Sequence, residues 1–92
     1  MKWEDATSYS RGQEHIPTAW ATTIGPEVGR IFVTSSHRDY PGQWIMHCYR
    51  LGIDTLLLDD SPDTAQEAQA IALVVVRAKV QAMMDELAAI GA

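Results

Sequence analysis

Apolar and polar residues alternate with a period of two through the middle of this chain, and with a period near 3.6 through its last third. The first rhythm predicts strands and the second a helix. Ala19 to Ile24 reads as a first strand, with Trp20, Thr22 and Ile24 on one face. Arg30 to Ser36 reads as a second, with Ile31 and Val33 on one face and Arg30, Phe32 and Thr34 on the other. In Gln43 to Arg50, the residues Trp44, Met46 and Cys48 alternate with Gln43, Ile45, His47 and Tyr49, and the first set is expected to face the core. Thr55 to Leu58 reads as a short fourth strand that Asp59 and Asp60 stop. Pro41-Gly42 suits the centre of a type II turn, because proline presets φ and glycine accepts a positive φ. Gly52 marks a bulge or a tight turn.

Asp63 to Ile90 then carries the helical period. Thr64 and Glu67 have the spacing of a capping box, and Asp63 complements the positive end of the helix dipole. Ala65, Ala72, Leu73, Val76, Val80, Met83, Met84, Leu87 and Ile90 share one broad face, which is expected to lie on the sheet. Strands followed by one long helix predict an α+β fold in two layers: an antiparallel sheet of three to four strands, in the order β-β-β-(β)-α, packed by one C-terminal helix. Residues 1–18 read as an irregular polar arm, with Trp3, Tyr9 and Ile16 available to pin it, and residues 19–92 as a single domain. The sheet face away from the helix, with Phe32, Ile45 and Tyr49, is expected to be partly bare.

Composition narrows the function classes. The 92 residues are 47% hydrophobic and 21% charged, which is globular rather than disordered. No apolar run reaches the roughly 20 residues that span a bilayer, and the first residues lack a signal-peptide core. Cys48 is the single cysteine, so no internal disulfide forms, and a cytoplasmic location is expected. The net charge of -5 and the scattering of the seven basic residues disfavour direct contact with nucleic acid. The acids cluster instead: Asp54, Asp59, Asp60, Asp63 and Glu67 fall in a stretch from Leu51 to Val76 that holds no Lys or Arg.

Reactive constellations are absent from the pattern. His47 and Cys48 are neighbours in a strand and point to opposite faces, so they do not share a metal ion, and no metal or cofactor is expected. Ser35, Ser36, His37 and Asp39 stand close in sequence, but a triad needs convergence in a cleft, and this run reads as a polar hairpin end. The glycines match no phosphate-binding loop. No catalytic residue is assigned, and the chain is not expected to be an enzyme.

Binding remains. The acids Asp54, Asp59, Asp60, Asp63 and Glu67, with Ile45, Tyr49 and Arg50 on the open sheet, form the expected partner surface, and the partner is expected to be basic. A second helical stripe of Ile71, Val75, Ala78 and Ala82 offers a seat for another helix or for a homodimer. Two further readings stand beside this one. The open sheet face is also the surface that a nucleic-acid-binding module would use, stacking bases on Tyr49 or Trp44. The second stripe suits an oligomeric, antitoxin-like regulator.

Met1-Lys2-Trp3-Glu4-Asp5, Ser8-Tyr9-Ser10-Arg11-Gly12, Tyr40-Pro41-Gly42-Gln43-Trp44 and Leu51-Gly52-Ile53-Asp54 resemble stretches of small accessory proteins carried by bacteriophages and prophages. That resemblance implies an inhibitor of the anti-CRISPR or anti-defence type, which acts in the host cytoplasm by binding a nucleic-acid-handling complex. The class shares no motif, so it implies no functional residue.

Overall fold

A computed structural model describes residues 2–8, 17–58 and 62–91. Five strands form one antiparallel meander: β1 (Glu4–Asp5), β2 (Ala19–Thr23), β3 (Arg30–Thr34), β4 (Ile45–Cys48) and β5 (Ile53–Leu57), side by side in chain order. One helix, α1 (Ala65–Gly91), follows. The two-layer α+β class is as the periodicity predicts. The extra strand is β1, within the stretch expected to be an irregular arm. It is too short to show a period of two, and it forms because Glu4 and Asp5 find the free edge of β2 opposite Ala21 and Trp20. Thr7 then ties the arm down, its hydroxyl accepting from the Thr18 and Ala19 backbone N–H groups at 2.9 and 3.0 Å. Trp3 packs against the core, whereas Tyr9 and Ile16 lie outside the described residues.

Cross-strand register sorts the side chains. Trp20, Val33, Met46 and Leu56 are successive partners and share one face, as do Thr22 and Ile31. This face meets the helix: Ile31, Val33, Trp44, Met46, Cys48, Leu51 and Leu58 are buried with Ala68, Ala72 and Val76. Trp44 is therefore a core residue, so the base-stacking role offered for it is corrected. Ala21, Phe32 and His47 share the opposite face, with Ala19, Thr34, Ile45 and Leu57 in a parallel row.

The turns follow local chemistry. Gln43 N–H donates to the Tyr40 carbonyl at 3.1 Å, and Gly42 takes φ 75° between them, which is the type II turn that Pro41-Gly42 predicts. Tyr49–Leu51 form one turn of 3-10 helix that Gly52 closes at φ 73°. At the start of α1, Glu67 N–H donates to Thr64 Oγ1 at 3.2 Å, while the Glu67 carboxylate accepts from the Asp63 backbone N–H at 2.9 Å. The capping box is thus present with its return bond shifted by one residue.

The helix outruns its sheet. Val80 is the last residue to touch the core, and 81–91 are exposed throughout. Met83, Met84, Leu87 and Ile90 do not lie on the sheet, contrary to expectation. A helix of 27 residues is about 40 Å long, whereas five strands of at most five residues make a sheet under about 20 Å in either direction. Periodicity defines a helix face, but not how far the surface beneath it extends.

Candidate functional site

The sheet face away from α1 holds a run of rings. Phe32 on β3 sits opposite His47 on β4, and the two rings stack at 5.6 Å with planes 29° apart. The His47 ring in turn stacks on Tyr49 at 5.4 Å and 19°. His37, from the loop between β3 and β4, lies 6.4 Å from His47 and 5.6 Å from Tyr40. At the other end Arg30 places its guanidinium 5.6 Å from the centre of the Phe32 ring, within cation–π range. Arg30, Phe32, His47 and Tyr49 line a shallow concavity of about 300 Å³. A larger hollow of about 470 Å³ runs along β1 and carries no ring among its lining residues, Lys2, Glu4, Asp5, Ala6, Ala21, Thr22, Thr23 and Arg30.

His47 is the pivot of the run. Its Nδ1 accepts the Thr55 backbone N–H at 3.1 Å, and Asp54 Oδ1 stands 3.6 Å from the same nitrogen. Only one of these partners is served at a time, since a protonated Nδ1 pairs with the carboxylate but accepts nothing. Burial decides between them. It pushes the His47 pKa below its ordinary value, and His37 adds to the fall, while Asp54 opposes it. The bond from Thr55 requires an unprotonated Nδ1, and the lowered pKa favours that neutral form of the ring, with its proton on Nε2. That bond belongs to a local irregularity between Met46 and Cys48, where Thr55 takes φ 49°. A β-branched residue rarely adopts that conformation. The ring nitrogen here replaces a ladder partner for the displaced N–H.

The remaining expected site residues scatter. Tyr49 is 71% exposed and ends the ring run. Asp54, well exposed, stands beside His47. Asp63 and Glu67 are exposed and bonded to each other in the helix cap. Asp59 and Asp60 lie outside the described residues. Ile45 is fully buried, which corrects its assignment to an exposed partner surface. Alternation places it on the far face, but its neighbours there shield it, and alternation says nothing of that. Arg50 is exposed, with its stem so close to Gly29 that a Cβ there would lie 2.6 Å from its Cδ. Ile71 and Val75 pack against the core, so only Ala78 and Ala82 of the second stripe are exposed, and the expected self-association surface is corrected accordingly. The core curves round both flanks of a helix that carries alanine at its centre, and a helical wheel does not show that curvature.

Arg30, Phe32 and His47 were not among the expected site residues. Their alternation with core residues places each on the far face, but only strand register brings the three together. His37 Nδ1 accepts from the Asp39 backbone N–H at 3.1 Å, and Ser36 Oγ lies 3.0 Å from Thr34 Oγ1, so this segment closes its own loop. Among the described residues no group of three His, Cys, Asp or Glu side chains converges as metal ligands would, and no helix is long and apolar enough to cross a membrane. Comparison with protein-family models, curated proteins and solved structures finds no match for this chain.

Proposed function

We propose that this protein binds another protein rather than catalysing a reaction, and that it takes a basic side chain of its partner against Tyr49, His47 and Asp54. The observation that carries this reading is the meeting of an exposed ring and an exposed carboxylate at one point on a helix-free sheet face. A Lys or Arg set over Tyr49 gains cation–π attraction from the ring and charge pairing from Asp54, and tyrosine is a residue in which binding energy concentrates. Arg30 already covers Phe32, which leaves the Tyr49 end as the open position. The net charge of -5 adds long-range attraction for a basic partner. The inhibitor role implied by the phage resemblance belongs to this reading, because host complexes that handle nucleic acid carry basic surfaces.

A random peptide library panned against the protein tests it. Enriched peptides are expected to carry Arg or Lys, and their affinity is expected to fall about tenfold, or ~1.4 kcal/mol, with Tyr49→Ala and again with Asp54→Lys. Enrichment of acidic peptides, or indifference to both substitutions, overturns the proposal. The parallel stacking of Phe32, His47 and Tyr49 favours a second reading, a platform for unpaired bases. Labelled single-stranded RNA that binds, weakens steeply with salt and is lost with Phe32→Ala would establish that reading instead.

A further inference from the structure

Among the described residues Arg30 finds neither a carboxylate nor a hydrogen-bond acceptor: its guanidinium is exposed and rests beside the Phe32 ring. The Nε2–H of His47 is a second such donor. Its Nδ1 is turned to the Thr55 N–H on β5, so Nε2 points away from that strand, and no acceptor among the described residues meets it. Nε2 carries a proton both in the neutral ring that serves Thr55 and in the protonated ring that pairs with Asp54. Arg30 and His47 line the same concavity as Tyr49.

This bears on the basic side chain placed against Tyr49. A cation seated there shares the hollow with an unneutralised guanidinium, and like charges at close range oppose binding. Asp54 offsets one of the two positive charges and leaves the other. A partner that brings a carboxylate beside its base removes the repulsion and meets two donors already in place. The guanidinium N–H groups form a fork that matches a carboxylate in two parallel bonds. A phosphate would bring about two negative charges towards Asp54 and a chain of net charge -5, so the single charge of a carboxylate fits better. We propose that the partner segment is of mixed charge: its base lies against Tyr49 and Asp54, and an Asp or Glu carboxylate of the same segment is held by Arg30 and the His47 Nε2–H. Strand order sets the spacing. Arg30, His47 and Asp54 stand on three successive strands, so β3 and β5 lie about 10 Å apart. An extended chain crossing them covers that span in about three residues, which places base and acid about three positions apart.

The inference rests on the basic-partner reading, and the panned peptide library separates the two. Against the wild type, enriched peptides are expected to carry Asp or Glu about three positions from their Arg or Lys. Against Arg30→Glu the base is expected to persist and the acid to vanish. A synthetic copy of one enriched peptide is expected to bind about tenfold more weakly to Arg30→Gln. Changing that peptide's acid to the amide should then weaken binding no further, since both changes remove one contact. Arg30 is exposed and outside the core, so both variants are expected to keep the near-ultraviolet circular dichroism of the wild type. The amide peptide measured against the wild type, which asks nothing of a variant's folding, is also expected to lose about tenfold. Basic peptides with no neighbouring acid overturn the inference and leave the basic-partner reading standing. So does a mixed-charge peptide that ignores both Arg30 substitutions. Peptides without Arg or Lys overturn both, as does a protein that selects no peptide and instead holds labelled single-stranded RNA through Arg30.

Discussion

His47 shows how one side chain comes to depend on three neighbours. In the folded protein its Nδ1 serves the Thr55 N–H only while the ring is neutral, and burial keeps it so by holding its pKa below the ordinary 6.5. The charged groups that face it are Asp54 from β5, which favours protonation, and His37 from the loop after β3, which opposes it. Arg30, across Phe32, is a further positive charge on that face. A folded-state pKa below the unfolded value means that the unfolded chain binds more protons in the interval between them. The stability contributed by a neutral His47 is therefore complete above about pH 6.5 and is lost as pH falls through the folded pKa. Urea denaturation at pH 7.5 and pH 5.5 is expected to show a loss in the wild type that His47→Gln reduces. An equal loss in both proteins would place the acid sensitivity elsewhere. The residue types of this cluster are plain in the sequence, but the contact between His47 and Thr55 arises from a register shift that no local pattern announces.

Among the elements, α1 depends on its small residues. Ala68 and Ala72 are fully buried where the helix crosses the sheet, and the helix packs mainly on β3 and the 3-10 turn. Alanine lets the two layers approach closely, and close packing leaves no room for a larger side chain. Ala72→Leu is expected to destabilise the fold by about 1–3 kcal/mol through overpacking, although leucine is nearly as good a helix former. A lowered urea midpoint would show it. An unchanged midpoint would mean that the layers yield. The helical period was legible across residues 63–90 and the cap in residues 63–67, because capping depends on groups within four positions of one another. Ala72 was legible on the stripe expected to face the sheet, but Ala68 was not, since an alanine that allows close approach and one that merely tolerates solvent are the same residue in sequence.

At the scale of the whole molecule the extents are 59 × 26 × 21 Å, far from spherical for 92 residues. The elongation follows from the helix leaving a sheet shorter than itself. If 81–91 add nothing to the monomer's core, a chain stopped after Gln81 is expected to keep the near-ultraviolet circular dichroism of its packed tryptophans, including buried Trp44. Collapse of the tryptophan signal on truncation would show that the distal turns support the body.

The chain's own order of residues was enough for the α+β class, the type II turn at Pro41-Gly42, the helix start and the inward face of β3 and β4, because each depends on interactions within a few positions. The tertiary structure alone decided three further matters. It recruited Glu4–Asp5 as a fifth strand, buried Ile45 on the face expected to be open, and left Met83, Met84, Leu87 and Ile90 beyond the edge of the sheet. Those outcomes turn on which strand edge is free, what covers a face and how wide the sheet is. Each is a property of distant segments meeting in space, and no window along the chain contains it.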